Sequence, residues 1–209
     1  MSKPLRILIT AGPTHEPIDP VRYIGNNSSG RMGAALAEAA LAAGHRVTVI
    51  VGPVSLPMPL GAKRIDIETA AQMEAIVLEA FPSHDLLIMA AAVADYRPVS
   101  RSPVKLGRGG SLTIHCEPTS DIVAAAARAR RADQRIIGFS LEAHDDVERA
   151  REKLKRKGLD LIVFNPLETM NSANIAPVLL FADGDTETLQ RQTKADFARI
   201  LIERGAELF

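Results

Sequence analysis

The sequence predicts an α/β fold, a doubly wound and mostly parallel sheet, in one domain spanning residues 1–209. Three observations lead there. Short apolar runs of the buried-strand kind alternate with Ala- and Leu-rich helical runs in β-α-β-α-β order. A chain of 209 residues, 46% hydrophobic and 24% charged, can bury a core without metal or disulfide staples. The lone cysteine, Cys116, excludes a disulfide framework and a cysteine-cluster metal site.

The elements follow in order. Leu5–Thr10 is an apolar, partly β-branched strand. A long polar loop, Ala11 to Ser29, leads into a helix over Arg31–Ala43, which Gly44 stops. Arg46–Val51 is the next strand, and Gly52–Pro59 is a loop. Thr69 caps a helix reaching Ala80, with Met73, Ile76 and Val77 on its apolar face. Leu86–Ala91 is a wholly apolar strand. The Ser-, Pro- and Gly-bearing stretch Val99–Ser111 reads as a flexible flap. Beyond it come a strand over Leu112–His115, a helix over Asp121–Arg131 and a strand over Ile136–Ser140. A helix over Asp146–Lys157 has Asp145 as its cap and Gly158 as its stop, and is followed by a strand over Leu161–Phe164. A hairpin-like segment at Val178–Ala182 with Gly184 precedes a closing helix, Lys194–Arg204.

Charge and patterning narrow the function. Lys+Arg 25 balances Asp+Glu 25, so no net basic face is available to grip nucleic acid or an anionic membrane. No apolar run is long enough to span a membrane and no signal peptide is visible, so a cytoplasmic protein is expected. In open α/β sheets ligands sit at the carboxyl ends of strands, and the loops there carry the informative residues. The long first loop holds His15, Arg22 and then Gly25-Asn26-Asn27-Ser28-Ser29-Gly30-Arg31-Met32-Gly33. Glycines and hydroxyl residues at a helix start favour a phosphate, or else serve capping and tight packing. The spacing matches neither GxGxxG nor GxxxxGK[ST], since Met32 stands where Ser or Thr belongs. In the loop after Leu86–Ala91, Asp95 can hold a ribose hydroxyl, a base edge or a magnesium ion, or cap a helical turn. Lys153 and Lys157 share a helix face, either for phosphate or simply as a solvated edge. Cys116 has neither a helix start nor a base beside it and is expected to be a small core residue.

The segments ILITAGPTHEPIDPVRYIGNNSSGRMG, VTVIVGPVSLPMP, AAAVADYRP, GFSLEA and KGLDLIVFN together resemble bacterial phosphopantothenoylcysteine synthetase over nearly the whole chain. The resemblance implies a Rossmann-like ligase of coenzyme A biosynthesis. In that family the carboxylate of 4'-phosphopantothenate attacks the α-phosphate of CTP, with Mg²⁺ as cation, and the amine of L-cysteine then displaces the nucleotide. It also implies a homodimer. Relatives are often fused to a flavin-dependent decarboxylase that is absent from these 209 residues, which leaves a separate phosphopantothenoylcysteine decarboxylase as a candidate partner. Asn26 and Lys105 match the family's catalytic asparagine and flap lysine. Arg22, Asn26, Ala91 and Ala92 match substrate contacts, with Arg22 reaching across the dimer. Nucleotide contacts fall on Ser28, Ser29, Gly30, Gly33, Met89, Ala90, Ala91, Asp95, Lys105, Ser120, Asp121, Ile122, Val123, Phe139, Lys153 and Lys157, and Asp95 is the metal candidate.

The flap reads Lys105-Leu106-Gly107-Arg108 where relatives carry KIKK. Pro118-Thr119-Ser120-Asp121 replaces KNPD, and Gly138-Phe139-Ser140-Leu141-Glu142-Ala143 replaces GFAAET. These departures leave CTP and ATP both open as the nucleotide. Two rival readings are a nicotinamide-dependent oxidoreductase on the same fold and a non-catalytic nucleotide-binding subunit.

Overall fold

Alternation of buried residues on the strands dictates the layers. In a computed structural model that describes residues 3–142, 147–166 and 174–209, β1 (Arg6–Ala11) is buried along all but its first residue. A small hairpin, β2 (His15–Pro17) and β3 (Tyr23–Gly25), interrupts the long polar loop before α1 (Arg31–Ala42). There follow β4 (Arg46–Val51), β5 (Lys63–Asp66), α2 (Ala70–Ala80) and β6 (Leu86–Met89). A second hairpin pairs β7 (Tyr96–Pro98) with β8 (Cys116–Pro118) and leads to α3 (Ile122–Ala129). The chain continues through β9 (Arg135–Glu142), α4 (Val147–Lys157) and β10 (Leu161–Pro166). It closes with β11 (Asn174–Ile175), β12 (Val178–Phe181), β13 (Thr186–Thr188), β14 (Gln192–Thr193) and α5 (Lys194–Glu207).

Among the described residues the main sheet has the order β13-β12-β10-β9-β6-β1-β4-β5. From β10 to β5 it is parallel, and β12 and β13 form an antiparallel edge. Ile7 pairs with Val47 on one side and Leu86 on the other. Alternate strand residues therefore face opposite layers. Ile7, Ile9 and Ala11 join Leu36, Ala37, Ala40, Phe197 and Leu201 of α1 and α5. Leu8, Leu87 and Ile136 join Met73, Val77, Ala126 and Leu154 of α2, α3 and α4. This is the doubly wound arrangement that the periodicity predicts.

The helix ends obey the local signals. Thr69 and Gln72 form a reciprocal capping box at the start of α2. Asp121 and Thr193 cap α3 and α5 through the N–H groups of Ala124 and Asp196. Gly44, at φ +83°, ends α1 with a Schellman pair of bonds, from its own N–H to the Leu41 carbonyl and from the His45 N–H to the Ala40 carbonyl. Asp145 and Asp146, expected at the start of α4, lie outside the described residues, as does Ala143.

Three expectations need correction. Leu112–His115 is not a strand: Leu112 is exposed, and the pairing with β7 falls instead on Cys116–Pro118. Cys116 is exposed rather than a core residue, because that hairpin stands away from both apolar layers. The edge strand β5 was not foreseen, since its sequence KRID is charged and mostly exposed and so lacks an apolar signature. Among the described residues no helix is long and apolar enough to cross a membrane.

Candidate functional site

The chain's crossovers from β1 and β6 leave for opposite faces of the sheet, which opens a crevice at the carboxyl ends of these neighbouring strands. The two loops that bound it are stitched together. The Ala92 N–H donates to the Gly12 carbonyl at 2.9 Å, and the Ala94 N–H to Thr14 Oγ1 at 2.9 Å. Thr10 Oγ1 accepts from the Ala91 N–H at 3.2 Å. Buried Glu16 of the β2–β3 hairpin accepts from the Ala70 N–H at 2.7 Å, tying that hairpin to α2. Asn26 Nδ2 donates to the Val93 carbonyl at 2.8 Å, so the first loop's amide is held against the second loop.

A cavity of about 600 Å³ occupies this crevice. Of the residues singled out in the sequence, Asn26, Ser28, Ser29, Gly30, Gly33, Met89, Ala90, Ala91, Ala92, Asp95, Val123, Phe139, Lys153 and Lys157 line it. Its floor is the start of α1. Gly30, at φ +73°, is the N-cap there and offers no side-chain cap, and the first turn carries no acid. The opening N–H groups are thus left for an anion. Gly33 lets α1 approach β1 so closely that a Cβ in its place would lie 2.3 Å from the Ala11 Cβ.

The opposite wall is cationic. Lys153 Nζ lies 3.2 Å from Ser140 Oγ, and Lys157 Nζ lies 3.0 Å from Asp121 Oδ2. Burial pushes the Asp121 carboxyl up, yet the Ala124 N–H and the Lys157 ammonium outweigh it and hold the group below its ordinary range. Asp121 therefore acts as the α3 cap and as an anchor for Lys157, and it does not line the cavity. Ser120 is likewise outside the lining, and Ile122 is buried in the core beneath it.

Arg22 and Lys105 lie elsewhere. They line a second cavity of about 450 Å³, together with Val21, Leu106, Gly107 and Arg108. Buried Asp19 organises that region. It accepts from Arg22 Nε at 2.9 Å and from the Leu106 N–H at 3.1 Å, while Arg22 Nη2 donates to the Leu106 carbonyl at 2.8 Å. The Arg22 guanidinium and the Val21, Leu106 and Arg22 N–H groups hold the Asp19 carboxyl far below its usual range against the opposing effect of burial. The flap is thereby clasped to the first loop, a role for Asp19 that spacing alone did not show.

Asp95 is the one carboxylate lining the main cavity among the described residues, and no three His, Cys, Asp or Glu side chains gather there or elsewhere among them. That donor set does not build a protein cage for a metal. It does fit Mg²⁺ held by one carboxylate together with phosphate oxygens and water. Five polar lining residues were missed: Asn27, Arg31, Ser140, Asn165 and Lys194. Their positions at a helix start or a strand's carboxyl end were the available signal.

Residues 3–208 match the family described as the DNA/pantothenate metabolism flavoprotein C-terminal domain. The chain belongs to this family. It is 44% identical over 209 residues to the coenzyme A biosynthesis bifunctional protein CoaBC of Escherichia coli K12, covering 96% of this chain and 51% of that protein. It is 49% identical over 171 residues to a cysteine/cysteine sulfinic acid decarboxylase of an unknown prokaryotic organism, covering 79% of this chain and 48% of that protein. The chain thus spans about half the length of these curated relatives. A crystal structure of the C-terminal domain of CoaBC superposes with a TM-score of 0.86 at 35% identity, covering 98% of this chain and 95% of that one. That domain therefore shares the fold described above.

Proposed function

We propose that the chain is a phosphopantothenate–cysteine ligase acting in coenzyme A biosynthesis through an acyl-nucleotide intermediate. The observation that carries this reading is the joining of an uncapped α1 start to a lysine-bearing wall in one crevice of the family's fold. A carboxylate is a poor electrophile until it is esterified to phosphate. In the first step an oxygen of the 4'-phosphopantothenate carboxylate bonds to the α-phosphorus of CTP, and the α–β bridging bond breaks to release pyrophosphate. In the second step the amine of L-cysteine bonds to the acyl carbon, the carbon–oxygen bond to phosphate breaks, and CMP leaves with the electron pair.

The α1 N–H groups with Ser28 and Ser29 hold phosphate oxygens, and Lys153 and Lys157 offset the charge that builds as pyrophosphate departs. Asn26 keeps one amide proton and its oxygen for the acyl-phosphate, since its other proton is engaged by Val93. Ala91 and Ala92 leave room for the pantetheine-like arm, and Phe139 offers a flat face to the base. Asp95 would hold Mg²⁺, which when bound supplies charge neutralisation on the phosphates.

The ligase reading needs Arg22 and Lys105 at the reacting groups, yet in one chain they line a different cavity. A homodimer resolves this, with the arms carrying exposed Val21, Tyr23, Tyr96, Val99 and Val104 as the contact surface that brings Arg22 to the other subunit's site. The product would be the substrate of a phosphopantothenoylcysteine decarboxylase.

The test is pyrophosphate release with 4'-phosphopantothenate, L-cysteine and Mg²⁺, comparing CTP with ATP, GTP and UTP. Substrate-dependent release with CTP preferred is expected. Release with ATP alone moves the base preference, and no release from folded protein overturns the ligase in favour of a binding subunit.

A further inference from the structure

The cavity carries two further cations that neither the α1 N–H groups nor the Lys153–Lys157 wall accounts for. Pairing of Asn174 with Thr193 and Ile175 with Gln192 fixes the residues that lead into α5, whose start shares the cavity with Asn165 of β10. Lys194, the first residue of α5, consequently lines the same cavity as Arg31, the first residue of α1. Neither has an ion pair among the described residues. The nearby acid of the α5 first turn, Asp196, is taken up by Arg199 and by Thr193. Burial and the Arg31 charge both push the Lys194 ammonium below its ordinary range. Two cations facing one another without a counter-ion are unfavourable until an anion joins them.

Asn165 supplies the independent observation. It stands one residue before the end of β10, lines this cavity, is only 7% exposed, and its Oδ1 has no hydrogen-bond partner among the described residues. A buried polar atom left unpaired is unfavourable, and a ligand group or its bound water removes that cost on binding. The side-chain amide can turn to present either its oxygen or its NH₂ to that ligand.

We infer that Lys194, Arg31 and Asn165 form a second anion subsite that takes a phosphoryl group of one of the phosphorylated substrates. Within the ligase reading, on which the identity of these substrates rests, the group is either the β,γ-diphosphate of the nucleotide or the phosphate monoester of 4'-phosphopantothenate.

The test titrates inorganic pyrophosphate into the full chain by calorimetry and measures KM for each substrate. Lys194→Met should weaken pyrophosphate binding about tenfold or more, as loss of a charge-assisted hydrogen bond does, and Lys194→Arg should restore it to within about threefold. Asn165→Ala should weaken it about threefold or more. A raised nucleotide KM in Lys194→Met assigns the β,γ-diphosphate, and a raised 4'-phosphopantothenate KM assigns the monoester. The inference is overturned by absent pyrophosphate binding to the wild type, by unchanged affinity in folded Lys194→Met or Asn165→Ala, or by both KM values staying fixed. Because pyrophosphate binding is read without turnover, Lys194-dependent binding in a protein that does not ligate would sink the ligase reading alone.

Discussion

Replacing Gly33 by alanine tests whether the seating of α1 on β1 sets the phosphate cradle. A Cβ at position 33 would sit 2.3 Å from the Ala11 Cβ and 3.1 Å from the Ala11 Cα. Carbon atoms settle at about 3.5–4.0 Å, so the two elements must separate locally by about 1.2–1.7 Å. Ala11 is fully buried in a six-residue strand paired on both sides, and it cannot give way. The start of α1 moves instead, and it carries Ser28, Ser29 and Gly30 with it. Overpacking of this kind costs about 1–3 kcal/mol, against which the helix propensity of alanine returns about 1 kcal/mol. A displacement near 1 Å at a positioning group can lower the rate about a hundredfold.

The expected result is a modest loss in urea-unfolding free energy with a large fall in kcat/KM for the nucleotide. Gly44→Ala is the comparison. It forces an alanine to φ +83° at the far end of α1, where a Cβ meets nothing within 4 Å. It should destabilise by about 1–2 kcal/mol while leaving the nucleotide KM unchanged. Wild-type kcat/KM in Gly33→Ala, or an equal kinetic loss in Gly44→Ala, would refute the argument that close packing at Gly33 positions the cradle.

Three further outcomes are expected. Lys105→Ala should abolish acyl-nucleotide formation, measured as pyrophosphate release, and Asn26→Asp should lower turnover with little change in the melting temperature; near-normal turnover in both removes their assigned roles. Asp121→Ala should cost about 1 kcal/mol through the lost α3 cap and also raise the nucleotide KM by releasing Lys157, so a stability change without a KM change would detach Lys157 from the site. Burial holds the His84 imidazole below its ordinary pKa, while Nε2 is bonded to Thr48 Oγ1 at 3.0 Å. Its unfolded form takes up a proton more readily, so stability should be full above about pH 6.5 and decline as pH falls through that value. In His84→Gln that part of the stability-pH curve, followed by urea unfolding, should flatten.

The parallel strands and their helices were legible because each carries a local signature. RVTVIV can be buried on both faces, and Thr69 with Gln72 marks a helix start wherever it lies in a chain. The loop residues from Asn26 to Gly33 mark a helix start whose chemistry suits either an anion or close packing, and the structure places most of them along the cavity. The strand assigned to Leu112–His115 failed because a solvent-facing hairpin draws its register from its partner, here Tyr96–Pro98, rather than from its own hydrophobicity. Edge strand β5 escaped for the same reason.

What the sequence by itself determined is the layered α/β fold and the loops that meet at its crevice, since periodicity and helix punctuation are encoded within a few neighbouring residues. Only the tertiary structure decided which distant groups share a space. It set Asp121 on Lys157, Asp19 on the flap backbone, and Lys194, Asn165 and Arg31 in one cavity. It also kept Arg22 and Lys105 in another. These juxtapositions arise from the packing of α1 against α5 and from pairing across long sequence separations, so no local pattern carries them.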